Sequence, residues 1–104
     1  MADLAFLEKF DQAMLGIYQR ALLEADYKAT RFLQMLQNHR GLETARILLH
    51  SLTVSEGYAA LWERGRLDLT VEAVIHDDPT WHPLFTQDEL AVCKKRLTEY
   101  GYLK

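Results

Sequence analysis

The chain has 104 residues, of which 49% are hydrophobic and 26% charged, and a formal net charge of −3. One domain spanning residues 1–104 can bury roughly two thirds of the surface that its unfolded form exposes, enough for a hydrophobic core without staples. The acidic balance gives no overall attraction to phosphate backbones or anionic lipid, no run of about 18 apolar residues is present, and the single cysteine, Cys93, has no internal disulfide partner.

The opening MADLAFLEKF carries acids where an export signal would place lysine before an unbroken apolar stretch, so a cytoplasmic location is expected. Two prolines and five glycines are the main punctuation, with no repeat or low-complexity tract. The expected architecture is all-α: a compact bundle of about six helices in one domain, joined by short turns.

From Asp3 to about Ala25 the residues Leu4, Leu7, Phe10, Met14, Ile17, Tyr18, Ala21, Leu22 and Ala25 recur at three- and four-residue steps, the spacing of one helical face. Phe6, Ala13 and Leu15 widen that stripe to about half the circumference. A surface helix of a monomer needs less, so this first helix is either central to the fold or shares a face with another molecule.

A second helix is expected over about Ala29 to His39, ended by Gly41 in the left-handed conformation, and a third over about Leu42 to His50. Thr53 and Glu56 stand at capping-box spacing and predict a fourth helix from Val54 to Arg64, stopped by Gly65. Asp68 is placed to cap a fifth, about Leu69 to His76. Pro79 and Pro83 forbid an uninterrupted helix through HDDPTWHPLF, leaving a turn and one helical turn. A second capping box, Thr86 with Glu89, opens a sixth helix to about Tyr100, with Leu90, Cys93, Leu97 and Tyr100 inward and Gly101 as its stop.

The segment LWERGRLDLTVE then falls on the corner between the fourth and fifth helices and gathers Glu63, Arg64, Arg66, Asp68 and Glu72. Arg66 can bridge Asp68 and Glu72 as a planar fork, which makes the corner a clamp that sets an angle. Arg64 and Arg66 can instead read an anion or a partner's carboxylate, with Trp62 beside them as an interface anchor. The clamp is the favoured reading, because every residue there already has a local task.

Other chemistry is sparse. His76, Asp77, Asp78 and His82 carry donors for a metal, and a small metal-dependent hydrolase is one alternative, but the spacing matches no strong metal motif. His39 and His50 fall near helix ends, where imidazole suits the dipole. Cys93 lies on an apolar helix face without an activating partner, Ser51 and Ser55 are explained by capping, and neither a nucleophile elbow nor a glycine-rich phosphate loop is present. No catalytic, cofactor-binding or metal-binding residues are therefore expected.

A helix-turn-helix regulator is the other alternative, since ETARILLHSLTVSEGYAALWERGRL places two short helices across a turn. The second of them leads with Ser55, Glu56 and Tyr58 and lacks the cations and amides that read bases, so nucleic acid is disfavoured. Trp81 and Phe85 in PTWHPLF read as an apolar plug on the bundle or, if exposed, as a second interface anchor.

The segments YKATRFLQMLQNHRGLETARILLHS, EGYAALWERGRLDLTVEAVI and WHPLFTQDELAVCKKRLTEYGY resemble a family of small bacterial all-helical proteins and appended domains whose function is uncharacterised. The likeness covers about Tyr27 to Tyr102. It implies an independent helical domain in a bacterial cytoplasm, at most beside nucleic-acid enzymes, and carries over no site residues. The expected function is a non-catalytic interaction or adaptor module, with a protein or a second copy as partner and Trp62, Arg64, Arg66 and Trp81 as the candidate contacts.

Overall fold

The computed structural model describes residues 3–103 and is all-helical, with no strand among them. Asp3 starts α1, Leu4–Ala25, by accepting the Phe6 amide at 2.8 Å. Phe10, Met14, Ile17 and Ala21 form its buried face, while Leu15, Leu22 and Leu23 at its edges stay exposed. The wide apolar arc is therefore divided between the core and solvent. Asp26 ends the helix in the left-handed region at φ 52°, a conformation that a short polar side chain tolerates better than most.

The expected second and third helices are both present within the stretch α2, Thr30–His50, which is divided by a kink at Arg40. Arg40 itself, and not Gly41, carries the positive φ of 65°, with ψ −177°. The glycine has a different task. A Cβ at position 41 would lie 2.9 Å from Asp11 Oδ1 and 3.2 Å from the Asp11 Cα, so α1 and α2 approach this closely only over a bare backbone. The Gly41 amide donates to Asp11 Oδ1 at 2.7 Å, and the Arg40 guanidinium donates to Asp11 Oδ2 through Nε at 2.9 Å.

Helix α3, Glu56–Glu63, begins two residues later than the Thr53 capping box predicts, because Ser55 Oγ takes the Tyr58 amide. Ser51 and Thr53 instead turn their carbonyls toward Arg96, which leaves Thr53 outside the helix. Gly65, at φ 70°, closes α3 with the paired bonds Arg66 N–H to Leu61 O and Gly65 N–H to Trp62 O. That is the glycine-terminated helix end expected from the sequence.

A 3-10 turn, Leu67–Leu69, leads into α4, Val71–Asp77. Thr70, not Asp68, caps α4: its hydroxyl accepts the Ala73 amide at 3.2 Å and donates to the Leu67 carbonyl at 2.7 Å. The proline segment forms a second 3-10 stretch, Pro79–Leu84, and the Thr86–Glu89 capping box opens α5, Gln87–Glu99, as predicted. Gly101, at φ 86°, ends α5 with the same paired bonds that end α3.

The main core joins Phe10, Met14 and Ile17 of α1 to Ala45 and Leu49 of α2, Ile75 of α4, Phe85 and Cys93. Trp81 seals one edge, stacked on Phe6 with ring centres 5.7 Å apart and edge-on to Phe10 at 5.2 Å. A smaller cluster of Tyr58, Leu67, Ala73 and Leu97 binds α3 and α4 to α5, and Ala21, Leu61 and Leu69 link α1 to α3. No helix among the described residues is long and apolar enough to cross a membrane.

Candidate functional site

The corner between α3 and α4 is a closed ionic clamp. Arg66 grips Asp68 with Nε at 3.0 Å and Nη2 at 3.1 Å, and Nη2 also reaches Glu24 of α1 at 2.7 Å. Arg20 holds the other oxygen of Glu24 at 2.9 Å. The second carboxylate in the fork is thus Glu24 and not Glu72, because the 3-10 turn sends residue 72 into the interior. The hydrogen bond from Arg20, reinforced by Arg66, pulls the Glu24 carboxyl down to about 2, and the Arg66 fork likewise holds Asp68 below its ordinary value.

Arg64 is engaged as well. Its Nε donates to the Ala25 carbonyl at 3.1 Å and its Nη1 to the Ala60 carbonyl at 3.0 Å, while the guanidinium carbon lies 5.0 Å from the centre of the Tyr27 ring. Both arginines therefore tie the end of α3 to the end of α1. Trp62 differs. It is 49% exposed, stands edge-on to Tyr100 with centres 5.6 Å apart, and borders a surface notch of about 280 Å³ with Leu67, Tyr100 and Tyr102. Trp81, the fourth candidate contact, is half-buried against α1 as described above.

Glu72 belongs to a second arrangement that the sequence reading missed. Arg96 of α5 donates to Glu72 Oε2 at 2.9 Å, to the Leu48 carbonyl at 3.1 Å and to the Ser51 carbonyl at 2.7 Å. One buried guanidinium thus neutralises α4's carboxylate and caps the end of α2. Burial pushes the Glu72 carboxyl up, against the downward pull of Arg96. A signal was present in the sequence: Arg96 follows Cys93 by three residues and so shares its inward face.

His82, Asp78 and Asp77 around the proline segment are each held by a separate partner. His82 Nε2 meets the Ile75 carbonyl at 2.9 Å, Asp78 accepts the Thr80 amide at 3.0 Å, and Asp77 accepts the Tyr102 hydroxyl. Among the described residues no three His, Cys, Asp or Glu side chains converge as a metal site. His50 instead pairs with Glu89 at 2.8 Å, fastening α2 to the start of α5. Burial raises the Glu89 carboxyl, but the Thr86 amide, His50 and Arg46 outweigh it and leave the group below its ordinary value. Burial pushes the Cys93 thiol up to about 12, the reverse of what a nucleophile needs.

No protein-family model, curated protein or solved structure matches the chain.

Proposed function

We propose that the chain is a non-catalytic helical interaction module of a bacterial cytoplasmic protein, acting as an adaptor or by pairing with a second copy, with Trp62 as its anchor. The observation that carries this reading is the half-exposed Trp62 over the Tyr100–Tyr102 notch. A large aromatic side chain beside a concave aromatic surface is the composition that dominates binding energy at interfaces. The ionic residues around it support the same reading, since Arg64, Arg66, Asp68 and Glu24 are occupied in holding α3 against α1. Leu22 and the 84% exposed Leu23 precede Glu24, which Arg66 holds at the same corner.

The test compares wild type with Trp62→Ala and Arg66→Ala. Light scattering over a concentration series reads self-association, and affinity capture with quantitative partner identification reads an adaptor role. Trp62→Ala, which empties no core, is expected to abolish the association while keeping the wild-type melting temperature. Arg66→Ala is expected to lower stability first. A wild-type chain that is monomeric at high micromolar concentration, and whose captured partners survive Trp62→Ala, would overturn the reading.

A further inference from the structure

The first half of α2, ending at His39, lies between Asp26 at φ 52° and Arg40 at φ 65°, the two positive-φ residues other than glycine among the described residues. Arg40 is the more strained, because φ 65° with ψ −177° falls in a region populated almost only by glycine. The Asp11 carboxylate holds it there, accepting from Arg40 Nε at 2.9 Å and from the Gly41 amide at 2.7 Å. Backbone strain persists only while the surrounding contacts override it.

The two halves of α2 are held very differently. Its buried residues, Gly41, Thr44, Ala45 and Leu49, all follow the kink. Phe32, Met35 and Leu36 before it stay half-exposed, and the helix starts at Ala29 without a side-chain cap. Segments with few buried apolar contacts open at the low end of a protein's local stabilities. Beside this half lies a cleft of about 550 Å³, lined by Phe32 and Met35 from α2 and by Leu61, Leu69 and Val71 from the elements opposite. Between the same elements Arg31 Nη1 stands 3.9 Å from Glu56 Oε2, beyond hydrogen-bond reach, with the side chains 83% and 78% exposed.

We propose that the first half of α2 is a strap that swings about Arg40 toward α3 and α4, the 26–29 connection following, and closes the cleft by laying Phe32 and Met35 against Leu61 and Leu69. Closure removes apolar surface from water on both walls, brings Arg31 and Glu56 into a hydrogen-bonded pair, and lets Arg40 leave its strained conformation. The Asp11 latch favours the open form and apolar burial the closed one. Trp62 takes no part, so the outcome leaves the interaction reading untouched.

Spin labels on Gln34→Cys and Glu63→Cys, both exposed positions, read the distance from strap to α3 in the full chain. The control pair is Glu43→Cys, beyond the kink, with Glu63→Cys; Cys93 is fully buried and stays unlabelled. The strap pair is expected to show two distances, the shorter from the closed form, and the control pair one. Asp11→Ala, which frees the hinge, is expected to raise the closed-to-open ratio by about tenfold, the worth of a hydrogen bond to a charged group. Arg31→Glu, which sets like charges across the mouth, is expected to lower that ratio by about threefold, as suits an exposed pair. Should Asp11→Ala not fold, Arg31→Glu decides alone, since it touches neither core nor latch. A single strap distance in wild type would overturn the proposal, as would a ratio that the variant used leaves unchanged, or a second distance shared by the control pair.

Discussion

Replacing Arg96 by methionine removes the charge and the donors of the guanidinium while keeping an unbranched chain in roughly the same space. The side chain is 10% exposed and its partner Glu72 is 4% exposed, so solvent does little to screen the pair. Breaking one half of a buried ion pair costs about 3–5 kcal/mol, because the remaining charge is left without compensation. The Leu48 and Ser51 carbonyls lose a donor at the same time, which places the expected loss toward the upper end of that range. A domain of this size has only about 5–15 kcal/mol in total. At about 4–8 °C per kcal/mol, the melting temperature should fall by roughly 15–40 °C.

Urea unfolding at several pH values tests the cause as well as the size of the loss. Burial already raises the folded-state carboxyl of Glu72, and without Arg96 that rise is unopposed. A group whose folded pKa lies above its unfolded value contributes stability below the unfolded value and loses it as pH rises through the folded one. The variant should therefore recover part of its deficit as pH is lowered toward about 4.3, the ordinary glutamate value. Adding Glu72→Leu should restore a large share of the stability at pH 7. A loss under about 1 kcal/mol, or a deficit independent of pH, would refute the argument that an uncompensated carboxylate is its source.

The clamp predicts the opposite acid behaviour. Glu24 is held down at about 2 by Arg20 and Arg66, and Asp68 is lowered by Arg66, so their stabilisation is present above the unfolded carboxylate values and lost as pH falls through the folded ones. Between about pH 4.5 and 2, Arg66→Gln should flatten the acid limb of a stability-against-pH curve relative to wild type. Gly41→Ala should cost about 1–3 kcal/mol by driving a methyl group into Asp11, whereas Gly16→Ala, with nothing within 4 Å, should add the helix propensity gained, about 0.5–1 kcal/mol, and so shift the urea midpoint upward. Tyr58→Phe should leave the melting temperature equal or higher, since it removes a buried hydroxyl that bonds to nothing; a marked decrease would show that the hydroxyl is satisfied in solution.

The sequence carried the helical periodicity, the glycine stops at 65 and 101 and the Thr86–Glu89 box because each is a local code, readable within four residues. It misplaced features decided by contacts across the chain. Gly41 looked like a helix stop, yet the nearness of Asp11, thirty positions earlier, fixes its identity and moves the left-handed residue to Arg40. Thr53 and Asp68 had the chemistry of caps, but Arg96 draws the first backbone away from a helix and Arg66 occupies the second side chain. Of the candidate contacts, Arg64 and Arg66 are recognisable as corner residues from their spacing alone. The exposure of Trp62 and the partnerless hydroxyl of Tyr58 depend on where α5 and α2 lie, which no local pattern encodes.

Asp11 sits where the two longest helices cross, and its two oxygens are satisfied by consecutive residues of the opposing helix. Sliding α2 by a single position would deliver neither the bare amide of 41 nor the guanidinium of 40 to that carboxylate. Apolar faces tolerate such slippage, whereas a charged acceptor with two assigned donors does not. The carboxylate therefore acts as a register mark for the hairpin, and substitutions at 11, 40 and 41 should behave as one unit whose effects do not sum.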